Sequence, residues 1–402
     1  MSEYVDRANG LEPSVLHAEL RSERCPVHRV DDHDPPFHVL SRHTDVFDAA
    51  RAPQLWRNGD GPGVFVQRGG VLGSTDDPDH RRQRSVLQDE FRPARIERLR
   101  PSIERVLDDR WAPFAQPAEG DVVELLAFPL PALVIAELLG VHADDREHFK
   151  DWSEAVVNAL GGGDLAAYEH ATQSIWAYID RLVDERTALI ADGLEPPDDV
   201  LTTMTHAHLA GTLSRTEVRR LGHQLLVAGH ETTTSLISLM FFRLAQHPHL
   251  LAELQAQPQL IEPAIEEFLR FDSPVQGLFR TNTDDVEIGG VALPAGSKVQ
   301  LLYASANRDP DVWDDPDTLR FDRDPKRLRS HLAFGWGVHH CIGASLARLE
   351  ARLVLERIVA GLASLEVIDP PETTSPFILR GFQRLRMRWS PTGGAITYPS
   401  IR

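Results

Sequence analysis

Cysteine is nearly absent. Among 402 residues only Cys25 and Cys341 occur, too few for a disulfide framework or for a zinc site of several thiolates. Each cysteine must therefore be judged by its surroundings. Long apolar runs are missing too: no stretch reaches the roughly 18 consecutive apolar residues of a membrane span. The segment Met1 to Arg21 is polar and acidic, not a basic stretch leading into an apolar one. A soluble, cytoplasmic protein with no membrane partner is expected. Basic residues are in deficit, 42 Lys and Arg against 60 Asp and Glu, for a formal charge of -18. A field of that sign repels nucleic acid, whose phosphates need a basic surface. There is no internal repeat and no low-complexity tract, and no segment suited to a flavin, a nicotinamide or an iron–sulfur cluster.

What is present in quantity is apolar side chain, 42% of the residues, enough for one large core. Apolar residues recur at helical spacing over Val122 to Leu139, Ile175 to Leu189, Leu221 to Leu244 and Leu346 to Leu362, so the fold class is mainly α with a small β region. Strand patterns cluster at Phe37 to Leu40 and at Val286 to Leu293, where Gly289-Gly290 between alternating residues predicts a hairpin. Asn58 to Gly73 and Gly161 to Asp164 are glycine-rich without helical pattern, and read either as mobile loops or as ordinary surface turns.

The strongest local signal is Phe334-Gly335-Trp336-Gly337-Val338-His339-His340-Cys341-Ile342-Gly343, followed at once by the amphipathic stretch Ala344 to Ile358. A cysteine thus sits where a helix begins. Unpaired N–H groups and a partial positive charge at that point favour thiolate, the form that binds metal. Gly335, Gly337 and Gly343 let backbone approach a flat ligand and aim N–H groups at the sulfur, while Phe334 shields it from water. By itself a lone cysteine is more often a small buried apolar side chain than a ligand. A second unusual stretch is Ala228-Gly229-His230-Glu231-Thr232-Thr233-Thr234-Ser235, a poor helix sequence inside a long apolar helix. Its hydroxyls can bond to preceding carbonyls and open the ladder, and a carboxylate beside a hydroxyl can relay protons. A plain helix kink is the alternative.

The cysteine segment resembles the loop of the cytochrome P-450 family, Phe-Gly-x-Gly-x-His-x-Cys-x-Gly, at all of its fixed positions: Phe334, Gly335, Gly337, His339, Cys341 and Gly343. The helix segment is similar to the family's Ala-Gly-x-Asp/Glu-Thr-Thr. The resemblance extends from Asp77 to the region of Gly381-Phe382, in the family's order. It implies one haem domain over residues 1–402, with a small β-rich region near the N-terminus, and haem b held between the long helix and the cysteine-loop helix. It implies Cys341 as the thiolate ligand to iron, Thr232 and Glu231 in oxygen activation and its proton relay, and His80, Arg84, Arg280 and His339 on the haem propionates. Glu267 and Arg270 match the family's Glu-x-x-Arg pair, which a later arginine joins; Arg320 is the first candidate and Arg323 the second.

The implied activity is that of a haem-thiolate monooxygenase. Ferredoxin and ferredoxin reductase would deliver electrons, dioxygen would supply the oxygen, and a small lipophilic substrate would be hydroxylated or epoxidised. Arg348 and Arg352 are equally readable as a docking point for an acidic ferredoxin and as a solvated helix face. By family position the substrate pocket draws on Phe65, Leu225, Ala228, Gly229, Val275, Phe279 and Phe377. The alternatives are a haem-thiolate peroxygenase, isomerase or dehydratase, and a non-catalytic haem sensor; Glu231-Thr232 weighs against both.

Overall fold

The computed structural model describes residues 2–22, 26–146, 148–149, 151–152, 155–156, 165–374 and 376–393. Cys25 and the Gly161 to Asp164 segment lie outside them. Helices dominate, and the core is built around Arg215–Gln246, against which Pro129–Leu139, Leu165–Ala191, Val200–Leu209 and Ala344–Gly361 pack. This central helix starts at a capping box: Ser214 Oγ accepts the Glu217 N–H, and the Glu217 side chain accepts the Ser214 N–H. By length and composition it is apolar enough to cross a membrane, but 78% of its apolar window is buried within the fold, as befits a core helix.

Residues 122–139, expected as one helix, divide in two. Phe128 N–H donates to the Val123 carbonyl, a wide turn five residues long. The α-helix then restarts at Pro129–Leu139, because a proline tolerated in a first turn cannot accept an interior position. That helix ends at Gly140, whose φ of +87° suits glycine, and a Cβ there would meet Asp199 Oδ2 at 2.1 Å.

Strands come from all parts of the chain, not only from near the N-terminus. A five-stranded sheet runs in the order Val27–Val30, Phe37–Leu40, Lys298–Leu301, Leu278–Asn282 and Trp56–Arg57. A three-stranded sheet joins Ala118–Asp121, Arg386–Pro391 and Leu362–Val367. The predicted hairpin pairs Val286–Ile288 with Val291–Leu293, turning on Gly289 and Gly290, both at positive φ.

Glu267 and Arg270 are wholly buried and face each other through two hydrogen bonds of 2.7 Å. Arg270 also donates to the carbonyls of Asn307 and Pro316, at 2.9 Å each, which moors the chain leading to the cysteine loop. The third member is Arg323, not Arg320. Arg323 Nε lies 3.0 Å from Glu267 Oε1, whereas the Arg320 side chain is half-exposed beside Asp322 and only its backbone N–H reaches Glu267. Alternating burial along this loop explains the exchange. Leu319, Phe321 and Arg323 alternate inward, with Phe321 packed on Phe268, so the intervening Arg320 points outward.

Removing one partner of a buried ion network strands the other charge. Arg323→Ala should therefore destabilise the protein by about 3–5 kcal/mol in urea unfolding, while Arg320→Ala should stay within about 0.5 kcal/mol of the parent. Equal effects would contradict the assignment.

Candidate functional site

A cavity lies between the long helix and the cysteine loop. Its floor is formed by Phe334, Gly335, His339, His340, Cys341, Ile342 and Gly343, with Leu346 and Ala347 of the following helix. The loop closes on itself through the Cys341 N–H, which donates to the Phe334 carbonyl at 2.9 Å. Gly335 and Gly337 adopt φ of +65° and +72°, and a Cβ on Gly337 would strike the Ala50 carbonyl oxygen at 2.8 Å. Only glycine meets both demands there.

The helix Ala344–Gly361 begins just past the cysteine, and the N–H groups of Gly343 and Ala344 point at its sulfur. Cys341 is exposed to the cavity while protein encloses it on the other sides. Burial pushes its thiol pKa up, outweighing the N–H of Gly343, the charges of Arg84 and Arg348, and the N–H of Ala344, which all pull it down. The helix start thus acts in the expected direction but does not win alone. A cation bound at the sulfur would supply the missing stabilisation of thiolate.

Opposite the sulfur stand Leu225, Ala228, Gly229, Thr232, Thr233 and Leu236 of the long helix. The helix remains continuous through the poor sequence. Thr232 and Thr233 donate their hydroxyls to the carbonyls of Ala228 and Gly229, at 2.9 and 3.2 Å, as bonds added to the ladder. A Cβ on Gly229 would come within 3.1–3.2 Å of Ile135, so this glycine permits close helix packing. Glu231 is buried next to Thr232 but outside the cavity lining, and burial raises its pKa to about 7.

A third wall carries His80, Arg84, Arg280, His339 and the phenol of Tyr303. The rings of His80 and His339 lie 4.1 Å apart. Arg84 donates to the His340 carbonyl at 2.9 Å, and Arg280 to the Phe279 carbonyl at 2.9 Å and the Tyr303 hydroxyl at 3.5 Å. Among the described residues neither arginine has a carboxylate partner. His80 Nε2 and His339 Nδ1 are buried without any hydrogen-bond partner. Burial, then Arg280, His80 and Arg84, push the His339 pKa down to about 3. Asp77 stands behind His80 at 3.6 Å, but among the described residues no carboxylate lines the cavity on this side. A flat group with more than one carboxylate, slotted over the sulfur, satisfies this wall, and haem is such a group.

Of the residues expected in the substrate pocket, Leu225, Ala228, Gly229 and Val275 line the cavity, joined by Leu72, Leu278, Asn58 and Gln224. Phe65, Phe279 and Phe377 do not. Phe65 is 64% exposed. Phe279 and Phe377 are buried in a separate core with Tyr4 and Phe37, where an aromatic cluster serves the N-terminal packing. Asn58 to Gly73 is heavily tethered: Lys298, itself buried, donates Nζ to the carbonyls of Asp60, Gly61 and Gly63 at 2.9–3.1 Å. Arg348 pairs with Glu266, and Arg352 with Glu262 and Glu356, so neither arginine is a free surface cation. Asn58 and Leu72 come from the glycine-rich loop that the resemblance places at the pocket, whereas Tyr303, Gln224 and Lys298 were not expected from the sequence. Only Tyr303 carried a signal, its place four residues before Asn307-Arg308-Asp309-Pro310.

A family model described as cytochrome P450 matches residues 12–385. Cytochrome P450 107B1 of Saccharopolyspora erythraea is 37% identical over 332 residues, 81% of this chain and 79% of that one. The vitamin D(3) 25-hydroxylase of Pseudonocardia autotrophica is 34% identical over 395 residues, 94% of each chain. The solved structure of cytochrome P450 CYP109Q5 from Chondromyces apiculatus superposes with a TM-score of 0.85 at 32% identity, covering 96% of this chain and 98% of the other.

Arg280→Leu removes a charge-assisted hydrogen bond of about 1.5–3 kcal/mol. Haem should then pass to an apomyoglobin acceptor at least about tenfold faster. Phe65→Ser should leave that rate unchanged. An unaltered rate in Arg280→Leu would remove this arginine from the cofactor wall.

Proposed function

The chain belongs to the cytochrome P450 family, a haem-binding monooxygenase, and on that premise we propose that Cys341 is its thiolate ligand and Thr232 with Glu231 its proton-delivery pair. The observation that carries this reading is the facing of the Cys341 sulfur and Thr232 across one cavity whose third wall is cationic. Bound haem, held by Cys341 and the carboxylate-binding wall, would supply an iron able to activate dioxygen with two electrons and two protons delivered to it, and thiolate donation would favour that chemistry.

The chain's own residues do the rest. The backbone N–H groups of Gly343 and Ala344 orient and stabilise the sulfur. Arg84, Arg280, His80, His339 and Tyr303 hold the cofactor's carboxylates. Leu225, Ala228, Val275 and Leu278 exclude water and offer an apolar seat. Glu231, with its carboxyl pKa near 7, both holds and releases a proton at neutral pH, and the Thr232 hydroxyl presents it at the cavity.

The substrate in this reading is a small lipophilic molecule, hydroxylated or epoxidised. It agrees with an apolar cavity wall and with the vitamin D(3) hydroxylase among the relatives. Electrons come from separate proteins, a ferredoxin and its reductase, in a cytoplasmic setting, and residues 1–402 act as one haem domain.

Thr232→Ala should keep haem and substrate binding but release hydrogen peroxide, with product formation lower by about 10²-fold. Fully coupled turnover would refute the relay. Since Glu231 is protonated below about pH 7 and ionised above it, the coupling of oxygen consumption to product should change through that pH. The same profile in Glu231→Gln should be flat, and a retained inflection would assign the ionisation elsewhere.

A further inference from the structure

We propose that Glu266 is a positioning residue for electron acceptance, acting through Arg348 to set the charge beneath Cys341 and hence the reduction potential of the bound haem. The inference rests on Cys341 being the thiolate ligand. Glu266 precedes the buried Glu267 on the helix Ile261–Asp272, and it is itself buried. Its carboxylate accepts Arg348 Nε at 2.6 Å on one oxygen and Nη2 at 2.9 Å on the other, a bidentate fork that fixes the guanidinium plane.

His331 completes the clamp. Its Nδ1 accepts the Ala333 N–H at 3.2 Å, so the ring proton sits on Nε2, which donates to Glu266 Oε2 at 3.0 Å. His331 thus holds one carboxylate oxygen of Glu266 while the Arg348 guanidinium spans both. Burial works against ionisation, but the hydrogen bonds from His331 and Arg348 hold the Glu266 carboxyl down at about 2.

The clamped guanidinium lies 4.5 Å above the centre of the Phe334 ring. Phe334 in turn accepts the Cys341 N–H on its carbonyl. Arg348 is also one of two arginines whose charge favours thiolate at Cys341, Arg84 being the other. Contact thus runs unbroken from Glu266 to the sulfur, and the charge along it is a cation partly offset by an anion. Charges held in a low-dielectric interior act over such distances, and the charge around the ligand sulfur is one of the levers on an iron's potential.

Opposite charges predict opposite shifts, which a merely structural role would not produce. Reduction adds one electron to the iron, taken from dithionite in a potentiometric titration of the holoprotein with ferricyanide as oxidant. Glu266→Gln removes the offsetting anion and should raise the potential, increasing the reduced-to-oxidised ratio several-fold at a fixed electrode potential. Arg348→Gln removes the cation and should lower that ratio several-fold. Glu266→Asp and Arg348→Lys keep the charges and should stay near the parent, which preserves the test if Arg348→Gln does not fold. Shifts of the same sign in Glu266→Gln and Arg348→Gln, unchanged potentials, or a fall in Arg348→Lys as large as in Arg348→Gln would each overturn the proposal. The parent's ferrous carbon monoxide spectrum separates the two layers: absence of the red-shifted thiolate band there refutes the ligand assignment itself.

Discussion

Cys341 hangs from a loop closed by its own N–H on the Phe334 carbonyl, and its sulfur meets both the cavity and the N–H groups of Gly343 and Ala344. A sulfur so enclosed is costly to ionise in the protein alone, as its raised pKa records. The surroundings are arranged around that deficit. Glycines at positive φ let the loop pass under the cavity, the long helix closes the opposite side, and the cationic wall holds charge that the protein leaves unmatched. In the function proposed, haem would answer both deficits, a cation at the sulfur and carboxylates at the wall.

Behind the floor, two adjacent glutamates face different tasks. Glu267 binds Arg270 and Arg323 and moors the chain between Asn307 and Thr318. Glu266 clamps Arg348 and His331. Both sit on one helix, so the segment leading into the cysteine loop and the helix leaving it are tied to the same support. Buried ion networks contribute little net stability against apolar substitutes, but they punish wrong geometry severely. That property suits a site whose sulfur must be presented in one orientation.

The site was legible in the sequence where backbone geometry restricts residue choice. Gly335 and Gly337 need positive φ, and Cys341 marks a helix start, so a short segment reports its own shape. Glu267 and Arg270 were readable because three-residue spacing puts them on one helix face. Where the outcome depended on which side chains of an irregular loop turn inward, local pattern was insufficient: Phe321 turns inward and exchanges Arg320 for Arg323. Phe65, Phe279 and Phe377 were misplaced because an aromatic side chain suits a pocket and a core equally, and packing between remote segments decided for the core. Lys298 gave no sign at all. Its three carbonyl partners lie more than two hundred residues away in the chain, and they tether a glycine-rich stretch that reads equally as a mobile loop or as ordinary surface turns.

The central claim is that Cys341 supplies the axial sulfur to the haem iron. X-ray absorption at the iron edge of the holoprotein and of Cys341→His tests it most directly. The account predicts one sulfur scatterer at bonding distance in the parent and only light-atom ligands in the variant. A parent without sulfur at the iron, or a variant that retains it, would contradict the claim.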